Sequence, residues 1–157
     1  MNRVTAAIAL GSNVGDRRAH LDFAVARLEP LLAHLKISRY YETEPIGIVG
    51  PQTPFLNAAA VGTTTLTARQ LLDALLAIED ARGRERPHPN APRTLDLDLI
   101  VLGDAVIDEP ALVVPHPRFR ERRFVLEPLA EIAPDLRDPV TGLTMEQLLT
   151  AIRPTPA

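Results

Sequence analysis

The sequence predicts an α+β fold of the ferredoxin-like βαββαβ type, with two helices on one face of an antiparallel sheet and a helical extension at the C-terminus. Apolar runs occur in the order strand, helix, strand, strand, helix, strand. A loop with three Pro and two Gly joins the second and third strands. Parallel neighbours need a long crossover, usually a helix, so an antiparallel sheet is favoured over a doubly wound parallel one.

The first half of the chain supplies one strand, one helix and two further strands. The apolar run of residues 4–10 ends at Gly11 and predicts the first strand. Asp16 is placed to cap a helix in which apolar residues recur at helical spacing as far as Leu32. Strands are predicted over 37–43 and 55–64, and the long loop between them has the character of a binding loop.

The second half begins with a helix and continues with a strand. Thr67 and Gln70 fit a capping box, and the apolar helix that follows stops at Gly83. A strand is predicted within residues 93–102. Two helices then close the chain, over residues 124–132 and 145–152. We expect a single domain over residues 1–157.

Composition narrows the class of protein. The chain has no cysteine, which excludes disulfides and thiol chemistry, and its net charge of −3 argues against a general nucleic-acid binder. No apolar run approaches the length of a signal peptide or of a membrane span. We therefore expect a cytoplasmic protein, a monomer with small-molecule substrates and no nucleic-acid or membrane partner.

Two carboxylates lie at the entry of the strand predicted within residues 93–102. In an extended chain Asp96 and Asp98 share one face, together with Ile100 and Leu102, while Leu95, Leu97, Leu99 and Val101 share the other. Adjacent carboxylates in an apolar strand favour a shared divalent cation. The alternative is a polar strand end satisfied by neighbouring arginines or backbone N–H groups.

Arginine is concentrated in two short stretches, residues 82–93 and 118–123, which together hold eight. Such clusters favour bidentate recognition of phosphate, although they are also compatible with two solvated loops. Glu79 lies in the last turns of the helix that stops at Gly83, and its spacing favours a surface residue paired with Arg82 or Arg86. The turn at 11–16 has two Gly but lacks the Walker pattern, so it is interpreted as a strand-to-helix turn.

Six motifs occur in order along nearly the whole chain: Ala-Leu-Gly-Ser-Asn at 9–13, Tyr-Glu-Thr-Glu-Pro-Ile-Gly at 41–47, Phe-Leu-Asn-Ala-Ala at 55–59, Ile-Glu at 78–79 with Gly-Arg at 83–84, Pro-Arg-Thr-Leu-Asp-Leu-Asp at 92–98, and Val-Pro-His at 114–116 with Arg122 and Phe124. In these motifs the chain resembles the 6-hydroxymethyl-7,8-dihydropterin pyrophosphokinases of folate biosynthesis. The resemblance implies transfer of diphosphate from ATP to the pterin hydroxymethyl group, which leaves AMP.

The resemblance also implies roles for individual residues. Asp96 and Asp98 would bind two Mg²⁺ ions, and Arg84 and Arg93 would act on the transferring diphosphate from a loop that closes over the site. The ATP-binding residues would be Glu79, Arg84, Arg93, Leu99, His116 and Arg122. The pterin-binding residues would be Thr43, Pro45, Ile46, Phe55, Asn57 and Phe124, with the two phenylalanines on either side of the ring.

The chain departs from the family pattern at two places. Residues 89–91 are Pro-Asn-Ala where relatives often carry Trp-Gly, and Phe55 stands where relatives commonly have Tyr. No residue has the character of a general base, so metal coordination and positioning are expected to activate the hydroxymethyl group.

Other interpretations of the same residues remain open. Phe55 and Phe124 are compatible with core aromatics, and His116 with a rigid Pro-flanked turn. The competing functions are a metal-dependent phosphohydrolase or nucleotidyltransferase and a ferredoxin-like RNA-binding module.

Overall fold

The computed structural model describes residues 3–43, 54–83 and 94–152. Within these ranges the chain forms seven strands, four α-helices and one 3-10 turn. Their bounds are β1 Val4–Ser12, α1 Arg17–Leu28, β2 Ala33–Ile37, β3 Tyr41–Thr43, β4 Phe55–Thr64, α2 Ala68–Gly83, β5 Asp96–Leu102, β6 Ile107–Glu109, β7 Leu112–Val114, the 3-10 turn Phe119–Glu121, α3 Arg123–Ile132 and α4 Met145–Ala151.

The main sheet has the order β2-β4-β1-β5, and β3 also pairs with β4. Each of these pairs is antiparallel. The α+β prediction with an antiparallel sheet is thus confirmed. Strands β6 and β7 form a separate hairpin. No helix of the described ranges has both the length and the apolar character needed to cross a membrane.

The predicted helix starts are confirmed. The Asp16 carboxylate accepts a hydrogen bond from the Ala19 N–H at 3.1 Å, which caps α1. At the start of α2 the Gln70 N–H donates to the Thr67 hydroxyl, and the Thr67 N–H donates to the Gln70 side chain. Both bonds of the capping box are therefore present.

The bounds of the strand predicted over 37–43 were wrong, because this range holds only the last residue of β2 and the short strand β3. The Ser38 N–H donates to the Ala59 carbonyl, and the Ala59 N–H donates to the Ser38 hydroxyl. The serine side chain thus takes a place that a backbone carbonyl would fill in a regular ladder. This break separates β2 from the three-residue strand β3.

Helices cover both faces of the sheet. Helices α1 and α2 lie together on one face, as predicted. Their residues Leu21, Leu28, Leu71 and Leu75 pack there against β-strand residues such as Ile8. Helices α3 and α4 cover the other face, where Leu126, Leu129 and Met145 pack against Ala7 and Ala59. The C-terminal extension is therefore part of the core.

The faces predicted for the last two residues of β5, Val101 and Leu102, were wrong. Asp96 and Asp98 lie opposite the face of Leu95, Leu97 and Leu99, but Leu102 packs with these leucines, and Val101 packs with Ile100. A bulge causes the change, because the register with β1 shifts where Ala7 pairs with Val101 and Ile8 pairs with Leu99.

Candidate active site

Three adjacent strands bring the predicted site residues together in one row. Gly11 of β1 pairs with Asn57 of β4 on one side and with Asp96 of β5 on the other. Paired residues of antiparallel strands point to the same face, so Asn57 and Asp96 flank a residue that has no side chain. Neighbouring strands lie about 4.8 Å apart, so the two backbones are separated by about 10 Å.

The next row of the same face has small residues beside the second carboxylate. Ala9 pairs with Ala59 and with Asp98. Asp96 and Asp98 are both partly buried. The floor between Asn57 and the two carboxylates is thus made of Gly and Ala, which leaves room above the sheet.

The side chain of Asn57 lies close to Gly11. A Cβ atom added to Gly11 would lie 3.1 Å from the Asn57 side-chain oxygen. On its other side the Asn57 amide nitrogen donates to the Thr43 hydroxyl at 2.6 Å. Asn57 is 5% exposed, so the bond to Thr43 fixes a buried amide in one orientation.

Phe55 and Phe124 are half-buried and approach the site from different elements. Phe55 begins β4 and pairs with Thr43. Phe124 lies in the first turn of α3, with the Arg122 guanidinium carbon 5.7 Å from its ring centroid. The aromatic that fills the core is Phe119, which is fully buried.

Glu79 is buried, so the predicted surface position was wrong. The residue is 8% exposed, and its carboxylate accepts a hydrogen bond from the Leu97 N–H at 2.7 Å. Leu97 stands between the two aspartates. Glu79 of α2 therefore fixes the backbone of β5 at Leu97. The Asp96 and Asp98 side chains lie on the face of β5 opposite to that of the Leu97 side chain.

His116 is placed beside β5 by its backbone, whose N–H donates to the Ile100 carbonyl at 2.9 Å. Burial lowers the pKa of His116; Asp98 opposes this shift, while Arg122 and Arg118 add to it. The lowered pKa favours the neutral imidazole. Because its Nδ1 accepts from the Arg118 N–H at 3.1 Å, the proton lies on Nε2, which is a donor for a ligand.

The remaining predicted residues divide into two groups. Leu99 is buried on the face covered by α1 and α2, so only its backbone is available to a nucleotide. Pro45, Ile46, Arg84 and Arg93 lie outside the described residues.

The end of β1 and the residue after it carry two polar groups that sequence reasoning left out of the site. Ser12 Oγ and Asn13 Oδ1 are buried and have no hydrogen-bond partner among the residues that the structure describes. They directly follow Gly11. A Ser-Asn pair at the end of an apolar strand was the available signal, because such groups rarely stay unpaired when buried.

The donor chemistry of the aspartate pair fits Mg²⁺. Among the described residues no group of three or more His, Asp or Glu side chains is arranged to hold a metal ion. Mg²⁺ commonly takes only one or two carboxylates and completes its shell with water and phosphate oxygens. Two carboxylates on one face therefore suit an ion that arrives with a polyphosphate.

Comparison with known proteins decides the family. The model of the 7,8-dihydro-6-hydroxymethylpterin-pyrophosphokinase (HPPK) family matches residues 7–134. The chain belongs to this family. The match includes every predicted site residue, and the family identified from the six motifs is thereby confirmed.

Curated HPPK relatives are similar over almost the whole chain. The 2-amino-4-hydroxy-6-hydroxymethyldihydropteridine pyrophosphokinase of Bacillus subtilis is 43% identical over 149 residues, which covers 94% of this chain and 88% of that protein. The protein of the same name from Synechocystis is 41% identical and covers 94% and 75%. The one from Pseudomonas aeruginosa is 42% identical and covers 92% and 89%.

Solved structures support the fold. Wild-type Plasmodium falciparum HPPK-DHPS aligns with a TM-score of 0.75 at 15% identity over 95% of this chain. A second HPPK-DHPS structure, the A437G variant, gives a TM-score of 0.76. The chain spans less than half of these longer proteins, 44% and 45%.

Proposed function

We propose that this chain transfers diphosphate from ATP to the hydroxymethyl group of 6-hydroxymethyl-7,8-dihydropterin at the face formed by Asn57, Gly11 and Asp96. The row of these three residues carries the proposal, because it sets a hydrogen-bonding amide beside a carboxylate pair across an open floor. A pterin held at Asn57 thus has its reacting group beside the carboxylates. HPPK is an ATP-dependent diphosphotransferase of folate biosynthesis, and the competing functions are not favoured.

The pterin half of the site consists of Thr43, Asn57, Phe55 and Phe124. Asn57 has one amide hydrogen on Thr43 and keeps a second N–H and its carbonyl oxygen for the edge of a heterocycle. Phe55 and Phe124 offer faces for the ring, and stacked aromatics prefer centroid distances of about 4.5–7 Å. Pro45 and Ile46 complete this half of the proposal.

The ATP half consists of Asp96, Asp98, His116 and Arg122, with Glu79 and the Leu99 backbone beside them. Asp96 and Asp98 would hold two Mg²⁺ ions, which when bound neutralise the triphosphate charge. The neutral His116 donates from Nε2, and Arg122 presents a cation at the start of α3. Arg84 and Arg93 are assigned to the transferring diphosphate.

The reaction forms a bond from the hydroxymethyl oxygen to the β-phosphorus of ATP and breaks the bond from that phosphorus to the oxygen bridging to the α-phosphate. AMP leaves with this oxygen, and the hydroxymethyl proton passes to solvent. The residues of this chain orient the two substrates and stabilise charge, which are the main contributions that phosphoryl transfer asks of a protein.

Incubation with Mg-ATP and 6-hydroxymethyl-7,8-dihydropterin is expected to release AMP and the pterin diphosphate in equal amounts. Asp96→Asn and Asp98→Asn should each lower kcat by about 10²–10³, the loss typical of one charge-stabilising group. Asp108→Asn, an exposed carboxylate on β6, is the control and should leave kcat unchanged.

Two outcomes would overturn the proposal. Release of orthophosphate from ATP without pterin would favour the phosphohydrolase. Full activity in both aspartate variants would remove the carboxylates from the reaction.

Three broader predictions complete the proposal. The strand order β2-β4-β1-β5 supports the ferredoxin-like description, and residues 1–157 are proposed to act as one pyrophosphokinase domain. The protein is also proposed to work as a monomer in the cytoplasm, where ATP is available. Light scattering coupled to gel filtration tests the oligomeric state.

A further inference from the structure

Strand β3 is short and lies off the main strand order, yet it carries Thr43. It has three residues, and its strand partner is β4. Short strands of this kind need contacts beyond their ladder to keep their register. On the α3 side the Tyr41 hydroxyl donates to Glu131 at 2.5 Å. This contact lies at the end of β3 away from Thr43.

Arg17 of α1 forms hydrogen bonds near the other end of β3, beside Thr43. Its Nη1 donates to the Pro54 carbonyl at 2.6 Å, and its Nη2 donates to the Glu42 carboxylate at 3.0 Å. Pro54 directly precedes Phe55, and Glu42 directly precedes Thr43. Phe55 of β4 and Thr43 of β3 pair with each other. One guanidinium thus contacts both neighbours of the Thr43–Phe55 pair.

The location of Arg17 in its helix is unfavourable for a cation. It is the first residue of α1, where the helix dipole disfavours positive charge, and the first turn of α1 has no acidic residue. The side chain is nevertheless only 23% exposed. The two contacts outside the helix explain why an arginine stands there, because a planar fork can serve two acceptors at once.

We infer that Arg17 is a positioning residue for the pterin: it fixes the Thr43–Phe55 pair, and through Thr43 it fixes the orientation of the Asn57 amide. This inference rests on the proposed pterin site. Arg17 is expected to act on the pterin half, because its described contacts are with β3 and with the residue that precedes β4, whereas the carboxylates stand on β5.

The bond to the Pro54 carbonyl is expected to carry most of the effect. Glu42 is 58% exposed, and ion pairs in contact with solvent contribute little. A hydrogen bond from a cation to a partly buried carbonyl is stronger. Loss of Glu42 should therefore matter less than loss of Arg17.

The test compares Arg17→Ala, Arg17→Lys and Glu42→Ala with the wild type in steady-state kinetics. Arg17→Ala is expected to raise KM for the pterin at least tenfold while KM for ATP changes less than twofold. Arg17→Lys, which reaches one acceptor at a time, should give an intermediate increase of about threefold, and Glu42→Ala a change of less than threefold.

Arg27→Ala is the matched control. It lies at the other end of α1, where its guanidinium carbon is 4.8 Å from the Phe23 ring centroid. It should leave both KM values unchanged. Pterin affinity measured by calorimetry in the presence of a non-hydrolysable ATP analogue should follow the same order as the KM values.

The inference is overturned if Arg17→Ala leaves KM for the pterin unchanged, or if it raises both KM values together, as a general loss of structure would. If Arg17→Ala does not fold, Arg17→Lys decides: an unchanged KM for the pterin, or an equal rise in both KM values, overturns the inference. A wild type that forms no AMP would contradict the proposed function instead, so the two failures are distinguishable.

Discussion

At the scale of single residues, Gly11 is the position on which the geometry of the site depends most directly. Gly11→Ala would place a methyl group 3.1 Å from the Asn57 side-chain oxygen, closer than an ordinary van der Waals contact, and the amide must move. We expect KM for the pterin to rise about tenfold, equivalent to about 1.4 kcal/mol, with kcat and KM for ATP nearly unchanged. Steady-state kinetics with each substrate varied in turn measures this.

Gly62→Ala on β4 separates this effect from a general loss of packing. Its added Cβ would meet the Leu32 Cβ at 2.8 Å and the Ala33 carbonyl at 2.9 Å, both far from the site. Its midpoint of urea unfolding should fall while KM for the pterin stays at the wild-type value. Equal KM increases in the two variants would contradict the role given to Gly11.

Glu79 shows what spacing along a helix leaves undetermined. Its spacing was compatible with the surface, but its acceptor role depends on the backbone N–H of Leu97, eighteen residues further on. The sequence pattern of α2 contains no information about the position of a backbone group in another element. Asp96 and Asp98, in contrast, were assigned to one face correctly, because alternation in a strand is local.

Replacement of Glu79 tests its hold on β5. Glu79→Ala leaves the Leu97 N–H without this acceptor, so the free energy of unfolding should fall by about 1–3 kcal/mol, and kcat should fall as well because the N–H lies between the carboxylates. Glu79→Gln keeps an acceptor oxygen and should retain most of the stability. Urea unfolding of both variants is the measurement, and equal losses in both would contradict the role of the hydrogen bond.

At the scale of elements, start signals were predictable and strand irregularities were not. Asp16 and Thr67 mark helix starts because their bonds reach only three residues ahead. The break at Ser38 and the bulge in β5 depend on partners in β4 and β1. Such features are set by pairing between distant segments. The alternation predicted for β5 is therefore correct as far as Ile100 and wrong beyond it.

The segment between α3 and α4 is organised by Asp138, whose side chain is fully buried. It accepts hydrogen bonds from Arg120 of the 3-10 turn, from the Val140 N–H and from the Thr141 hydroxyl. Burial alone would raise the pKa of Asp138, but these bonds outweigh it and hold the pKa below the ordinary value. The carboxylate therefore stabilises the folded state.

This lowered pKa predicts a pH dependence of stability. The contribution of Asp138 is complete above the pKa of an unfolded aspartate, about 3.9, and is lost as pH falls from there through the folded value. Asp138→Asn should cost about 3 kcal/mol at pH 7, and its difference from the wild type should shrink below pH 4. Urea unfolding between pH 3 and 7 measures both.

Glu127→Gln is the control for this pH series. Glu127 forms a partly exposed pair with Arg123 one turn away on α3, and such pairs contribute about 0.3–0.5 kcal/mol. Its unfolding curve should follow the wild type across the range. A difference for Asp138→Asn that stayed constant down to pH 3 would contradict the role of the ionised carboxylate.

At the scale of the whole molecule, the sheet separates two apolar cores that share its strands. Ile78 of α2 belongs to one core and Val125 of α3 to the other. Their side chains lie on opposite sides of β4, β1 and β5, so they do not contact each other. The two cores are nevertheless expected to unfold together, because neither face of the strands is stable without its cover.

Ile78→Val and Val125→Ala test this arrangement. The first should lower the free energy of unfolding by about 1 kcal/mol and the second by about 2 kcal/mol, and the double variant should lose both amounts to within about 0.5 kcal/mol, as independent sites do. Far-UV circular dichroism in urea should show a single transition throughout. A coupling well above 0.5 kcal/mol would mean that the sheet transmits packing changes between its faces. A second transition would mean that the helices α3 and α4 unfold separately from the strands, in which case Phe124 would leave the site before the carboxylates of β5 do.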